Sequence, residues 1–334
     1  MKKVIILGGG GFIGGHLGKR LKKEGCHVRI ADIKEHEFWK HQEICHEFIK
    51  CDLTEAKSVA SVITESCDEV YQLAADMGGA GYIFTGENDA NIMHHSVQIN
   101  LHVLKECVVK KVKKVFYSSS ACIYPSHNQL DPENPNCKEN SAYPANPDSE
   151  YGWEKLFSER LFLAYKKNYN LDVRIARFHN VFGPQGTWTG GKEKAPAAIM
   201  RKVAEAKEGG QIEVWGDGIQ TRSFLHVSEC IEAVLRLMNS DCLEPVNIGS
   251  EEMVTINQLT QMAIDISGKN LSIHNLKGQE FFDKYGFHCP SGVRGRNSEN
   301  TFFYKKIGWK VSKSLLGGVK STFGWIDKQV YLLK

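Results

Sequence analysis

Residues 4–14 read Val-Ile-Ile-Leu-Gly-Gly-Gly-Gly-Phe-Ile-Gly. Val4–Leu7 is a short, continuous apolar run, the pattern of a strand buried on both faces. Gly8, Gly11 and Gly14 then fall at Gly-x-x-Gly-x-x-Gly spacing, and a helix is expected over His16–Glu24. In that order, strand, glycine turn and helix let the chain turn tightly and bring backbone N–H groups and a helix N-terminus against a pyrophosphate. The next strand, His27–Ala31, ends in Asp32, 18 residues beyond Gly14. A carboxylate there accepts hydrogen bonds from both hydroxyls of an adenosine ribose and repels a 2′-phosphate, which predicts NAD rather than NADP.

The alternation continues outward from this unit. Glu47–Cys51 reads as a third strand, with Asp52 and Leu53 placed to meet an adenine. Glu69–Leu73 is a fourth, leading into Ala74-Ala75-Asp76-Met77-Gly78-Gly79, whose small residues let backbone approach a cofactor. A helix over Asn88–Lys110 and a strand over Val112–Tyr117 follow. Four βα alternations before residue 112 predict an α/β fold, a Rossmann-like doubly wound parallel sheet. Ser118–Pro125, Ser-Ser-Ser-Ala-Cys-Ile-Tyr-Pro, then sits at a strand's C-terminal end, where open α/β sheets place ligands. Between Pro125 and Pro147 lie five of the nine prolines, which reads as a loop over the mouth of the site. Tyr151–Tyr169 is a helix opening with Tyr-Gly-Trp-Glu-Lys; Tyr151 and Lys155, four apart, share one of its faces. An ammonium beside a phenol favours the phenolate, which makes a tyrosine a usable base near neutral pH.

Leu171–Phe178 is a sixth strand, after which His179–Pro184 leaves the sheet and Gln185–Lys194 is glycine-rich. Lys194 precedes a helix running from Ala195 to about Lys207, an unfavourable place for a cation and so a residue with another reason to be there. Ile212–Trp215, Gly216-Asp217-Gly218 and Gln220–Phe224 read as strand, turn, strand, followed by a helix over His226–Met238 and a strand over Val246–Gly249. The expected division is a cofactor-binding domain of residues 1–178 plus about 217–248, and a smaller C-terminal α/β substrate-binding domain of about 179–216 plus 249–334. In the basic cluster Val293-Arg294-Gly295-Arg296-Asn297, the two arginines together with Arg222 suit a diphosphate clamp. The adjacent His94 and His95 point in different directions on a helix, and no metal site is expected.

Composition narrows the class. With 334 residues, 42% of them apolar, the chain can bury a large core. A net charge of +3 is too mild to argue for nucleic acid or a membrane surface. Ten cysteines are scattered without a Cys-x-x-Cys pair, which suits free thiols in a reducing cytoplasm. The apolar run after Lys3 breaks at Gly8, too soon for a secretion signal, and no stretch approaches the length of a membrane span.

Taken together, Gly8–Gly14, Asp32, Ser120, Tyr151 and Lys155 resemble the extended short-chain dehydrogenase/reductase family of nucleotide-sugar enzymes. Within it, the chain resembles the 3,5-epimerases of GDP-sugars. It rests on Ala-Ala-Asp-Met-Gly-Gly (74–79), Ser-Ser-Ala-Cys-Ile-Tyr-Pro (119–125), Arg-Phe-His-Asn (177–180), Gly-Thr-Trp-Thr-Gly-Gly-Lys-Glu-Lys-Ala-Pro-Ala-Ala (186–198), Trp-Gly-Asp-Gly-Ile-Gln-Thr-Arg-Ser-Phe (215–224) and Val-Arg-Gly-Arg-Asn-Ser (293–298). The 186–198 block is the most specific of these. One departure is Leu7, which stands where many members have threonine before the first glycine.

The resemblance implies conversion of GDP-mannose to GDP-L-galactose or GDP-L-gulose with an NAD that stays bound and is recycled. Tyr151, Lys155 and Ser120 would oxidise C4, and Cys122 and Lys194 would be the acid/base pair that inverts C5 and C3. It implies cofactor contacts at Phe12, Ile13, Leu73 and Phe178 beside those already named, and substrate contacts at Met77, Gly78, Asn180, Glu193, Lys202, Gln220, Arg222 and Arg294. It also implies a homodimer paired through helices at about 89–108 and 150–168. Two alternatives stand beside this reading. A GDP-4-keto-6-deoxymannose epimerase/reductase shares Ser-x-Cys-Ile-Tyr-Pro, but it consumes NADPH, which Asp32 disfavours, and has histidine where Lys194 stands. A cofactor-sensing regulator on the same fold would usually lack the tyrosine or the lysine that remain here.

Overall fold

The computed structural model of the chain describes residues 1–290 and 292–333. Seven strands build one sheet: β1 (Lys3–Leu7), β2 (His27–Asp32), β3 (Glu47–Lys50), β4 (Glu69–Gln72), β5 (Lys114–Ser120), β6 (Val173–Phe178) and β7 (Val246–Ile248). Their order is β7-β6-β5-β4-β1-β2-β3, every pair parallel. The direction of winding reverses between β1 and β4, which opens a crevice at the carboxyl ends of those two strands.

The continuous apolar runs are explained by layers on both faces. From β1, Val4 and Ile6 enter a core with Leu17, Leu21, Val234 and Leu237, under the Phe12–Lys23 and Val227–Met238 helices. Ile5 and Leu7 enter the opposite core with Val59, Val103, Leu104 and Phe162, from the Ala56–Val62, Asp89–Val109 and Glu150–Tyr169 helices. The first helix begins at Phe12, four residues before the expected His16. Its first turns carry glycines that hide the apolar pattern. They are there for close approach: a Cβ on Gly18 would lie 2.7 Å from the Ile44 carbonyl oxygen.

The smaller part is less regular. Gln211–Trp215 pairs with Ser272–Leu276, whereas Thr221–Ser223 pairs with Met253–Thr255 and with Gly295–Arg296. The two runs that read as strand, turn, strand therefore do not pair with each other. Gly216 and Gly218, both at positive φ, carry the chain from one small sheet to the next. The Ala195–Glu205, Ile256–Ser267 and Leu315–Leu332 helices close a separate core around Met200, Leu259, Val319 and Ile326. Phe303, on the Thr301–Ile307 helix, instead joins the core beneath the large sheet. Residues 125–147 hold short 3₁₀ turns at Ser126–Gln129 and Glu139–Ala142. Among the described residues no helix is long and apolar enough to cross a membrane.

Candidate active site

The glycine turn at the end of β1 leaves no room for side chains. Gly8 has φ +84°, and a Cβ on it would sit 2.7 Å from the Ala74 nitrogen; one on Gly14 would sit 2.6 Å from the Gly9 Cα. Gly11 is the N-cap of the helix that Phe12 and Ile13 begin. Asp32, at the end of β2, accepts hydrogen bonds from the Gly10 N–H at 2.9 Å and the Lys34 N–H at 3.1 Å. Burial raises its pKa above the ordinary carboxyl value, against those two hydrogen bonds. Beyond β4, the Leu73 N–H is tied to the Leu7 carbonyl at 3.0 Å, and the Gln72 side chain grips both backbone groups of Ala74. Ala75 continues this rim, and Phe178 ends β6 beside Phe116. Leu53 is buried, while Asp52 turns one carboxylate oxygen onto Thr54 in its own turn. A glycine cradle with a fixed carboxylate at its side fits a dinucleotide with an unmodified adenosine ribose.

The chemistry-bearing residues gather at the end of β5. Ser120 Oγ accepts from the Cys122 N–H at 3.2 Å and so caps the Ala121–Ile123 turn. Ser149 caps the following helix by accepting from the Gly152 N–H at 3.2 Å. A side chain at 152 would run into the Cys122 carbonyl oxygen, so glycine is what lets this helix press against the cysteine turn. Tyr151 is thereby buried beside Ser120. Lys155 Nζ lies 5.7 Å from the Tyr151 ring centre, donates to the Ser118 carbonyl at 3.2 Å and stands 3.8 Å from the Glu154 carboxylate.

The expected lowering of the Tyr151 pKa is not what the protein alone produces. Burial, then the neighbouring Cys122 and Glu154, push the phenol well above its ordinary value, and Ser120 and Arg296 only partly offset them. The physical reason is that burial penalises the charged phenolate; the Lys155 ammonium, for its part, is bound to the Ser118 carbonyl and stands beside Glu154.

Arg296 Nη1 donates to Cys122 Sγ at 3.1 Å. The guanidinium is held in turn by Gln129 Oε1 at 2.6 Å and Asp148 Oδ2 at 2.9 Å. Burial opposes its charge, yet Cys122 and Asp148 outweigh burial and keep its pKa above the usual arginine value. Lys194 is exposed as a residue, while protein surrounds its ammonium. Burial lowers its pKa, and its charge interacts with Cys122, which opposes the shift. Ser120, Cys122 and Tyr151 therefore share one site, and the charge of Lys194 reaches Cys122.

The further substrate candidates spread from there. Gly78 packs on Tyr82, and Met77 stands partly exposed beside it. Asn180, at φ +43°, donates to the Ser223 carbonyl at 3.0 Å. Glu193 pairs with Arg201 at 3.0 Å. Lys202 donates to the Glu213 carbonyl at 2.8 Å, with its pKa lowered by burial. Gln220 keeps a buried side-chain oxygen with no partner among the described residues. Among the described residues, Arg222 is bound only to carbonyls, of Thr221 and Val293 at 2.8 Å and of Arg294 at 3.5 Å; burial and the charge of Arg296 pull its pKa down to about 10. Such a guanidinium is suited to an anion.

Two members of the expected three-arginine clamp have protein partners. Arg294 makes a two-pronged pair with Asp217, at 3.0 and 3.2 Å, and Arg296 is committed to Cys122, Asp148 and Gln129. Among the described residues, Arg222 is the member without a carboxylate contact. The roles of Arg296, Asp148 and Gln129 around the cysteine were not legible beforehand, because no spacing links positions 122, 129, 148 and 296.

Comparison with known proteins places this geometry. A family profile described as the NAD dependent epimerase/dehydratase family matches residues 4–249. The chain is 44% identical to GDP-mannose 3,5-epimerase of Arabidopsis thaliana over 328 residues, covering 98% of this chain and 83% of that one. It is also 44% identical to GDP-mannose 3,5-epimerase 1 of Oryza sativa subsp. indica, with 98% and 82% covered. Among solved structures, the UDP-glucose 4-epimerase of Thermotoga maritima superposes with a TM-score of 0.83 at 23% identity, covering 98% of this chain and 99% of that one, which shows the shared fold. The chain belongs to the NAD dependent epimerase/dehydratase family, on the branch of the GDP-mannose 3,5-epimerases.

Proposed function

We propose that this chain converts GDP-mannose to GDP-L-galactose, and to GDP-L-gulose when C5 alone inverts, by an epimerisation with no net redox change. NAD, held by the glycine turn, Asp32 and the rim at Leu73–Ala75, supplies a hydride acceptor for C4 of the sugar when bound. Tyr151 takes the proton of the 4-hydroxyl, with Ser120 in its hydrogen bond and Lys155 behind it. The resulting 4-ketone acidifies the protons on C3 and C5 through the enolate. Inversion then needs a base on one face of the ring and an acid on the other. Cys122 and Lys194 take these parts, coming from two separate elements. Arg296 orients the sulfur, and the downward shift at Lys194 is the direction an amine needs to act near neutral pH. Arg222 and Gln220 take the nucleotide's polar groups.

The observation that supports this reading is the Cys122 turn pressed against the helix that carries Tyr151, with Arg296 Nη1 on the cysteine sulfur at 3.1 Å. The rival reductase is tested directly. Incubation with GDP-mannose and anion-exchange separation of the nucleotide sugars should yield two new GDP-hexoses and no NADPH consumption. Consumption of NADPH with GDP-4-keto-6-deoxymannose, and inertness toward GDP-mannose, would instead select the reductase.

The finer expectations form part of the proposal. Residues 1–178 with about 217–248 hold the cofactor, and the remainder holds the nucleotide sugar. The Asp89–Val109 and Glu150–Tyr169 helices pair with those of a second copy in a four-helix bundle, supported by Leu101, Trp153 and Phe157, which are apolar and exposed on the two helices. Ten unpaired cysteines favour the cytoplasm.

A further inference from the structure

Lys194 stands at the N-cap of the Ala195–Glu205 helix with an extended backbone (φ −82°, ψ 160°), so its position is set by what holds the residues on either side. On one side is the helix. On the other is a crossing segment. Trp188 is buried in the core of the smaller part, and its carbonyl accepts from Arg201 Nε at 3.1 Å. Gly190 and Gly191 follow at φ +89° and +85°, with nothing within 4 Å of an added Cβ, so they serve backbone conformation and not packing. The chain then lands on the far wall. Lys192 Nζ stands 4.0 Å from the centre of the Tyr82 ring, and Gly79 is pressed against the Glu193 carbonyl so closely that no side chain fits there. The Tyr82 ring is itself held, its hydroxyl donating to Asp76 Oδ1 at 2.8 Å, while Asp76 Oδ2 meets His95 Nδ1 at 3.1 Å.

We propose that residues 189–193 form a latched strap that holds Lys194 in the cleft, with Lys192 and Tyr82 as the latch. Both are positioning residues for the reaction. The proposal rests on the epimerase reading for the chemistry of Lys194, but not for the latch itself. The strap spans from the smaller part to the turn after β4, so its release opens the mouth of the site and withdraws the lysine in one motion. The two left-handed glycines give the backbone the freedom to do so.

The test has two readouts on the NAD-loaded enzyme. In hydrogen–deuterium exchange, Tyr82→Leu and Lys192→Ala should each speed exchange of the 190–194 amides about two- to fivefold, the range of an exposed cation–π contact. Tyr82→Phe, which keeps the ring, should do so less. In single-turnover assays with GDP-mannose, Lys192→Ala should slow inversion at C5 while the transient reduction of NAD keeps its rate, and Lys192→Arg should restore inversion. Unchanged exchange in both Tyr82→Leu and Lys192→Ala overturns the latch. Equal loss of oxidation and inversion overturns the positioning role. If the wild type leaves GDP-mannose untouched, the epimerase reading fails, and the exchange experiment still decides the latch.

Discussion

Gly152 follows the proposed proton-abstracting tyrosine directly, and its missing side chain brings Tyr151 and Cys122 together. Gly152→Ala should cost about 1–3 kcal/mol of stability, typical of overpacking, because backbone has to move. It should also slow C4 oxidation, read as the transient at 340 nm. Normal stability and rate would mean that the close approach is not needed. Cys122→Ala makes a cleaner cut. It should keep NAD bound and oxidise C4 at nearly the wild-type rate, yet lose C5 proton exchange by at least about 100-fold, the usual scale of a general acid or base. Normal epimerisation by that variant would remove Cys122 from the acid/base role. Tyr151 and Lys155 could be singled out in advance because they share one helix face; Cys122 could be placed at a strand end, and its role came from the family resemblance. Arg296 could not be given its place, since its partners Gln129, Asp148 and Cys122 lie on three other segments.

The helices show what periodicity reveals and what it hides. The expected helix over Asn88–Lys110 lies within a residue of Asp89–Val109 at each end, although its buried face mixes Ile92, Ile99, Val103 and Leu104 with Ser96 and Asn100. Within the subunit its polar residues also work: Asn100 bonds Gln72, Ser158 and Glu154, so a buried amide fixes the helix against β4 and the Glu150–Tyr169 helix. The apolar residues left outside, Leu101, Trp153 and Phe157, are the ones assigned to the dimer. Phe157→Glu should therefore convert the proposed dimer to monomer in sedimentation equilibrium while each subunit stays folded. A dimer unaffected by that charge would place the interface elsewhere. The small strands of the second part escaped a full reading. Gln211–Trp215 finds its partner at 272–276 and Thr221–Ser223 at 253–255 and 295–296, so no local turn announces the pairing.

Across the whole molecule, three buried histidines tie folding to pH. Burial lowers His179 to about 3 and His226 and His36 to about 4, so all three are neutral in the native protein at pH 7. Unfolded, each takes a proton near its ordinary value of 6.5. Between that value and about 4 the unfolded chain thus binds more protons, and stability is full above pH 6.5 and lost as pH falls through this window. Urea midpoints should drop from pH 7.5 to 5, and the drop should shrink in His226→Gln; a midpoint that rises on acidification would contradict this. The larger half of the fold was legible because its strands are apolar on both faces and follow one another through helices. The smaller half and the roof of the site depend on distant contacts, such as Gly79 beneath Glu193, that no stretch of sequence displays. The central claim is that one site oxidises C4, exchanges protons at C5 and C3, and returns the hydride. It is tested by incubating the purified protein with GDP-mannose in D₂O without added cofactor and following the sugar by NMR. Deuterium at C5 and C3 with new galacto and gulo signals is the predicted result. A GDP-mannose spectrum that stays unchanged even after NAD⁺ is added would contradict it.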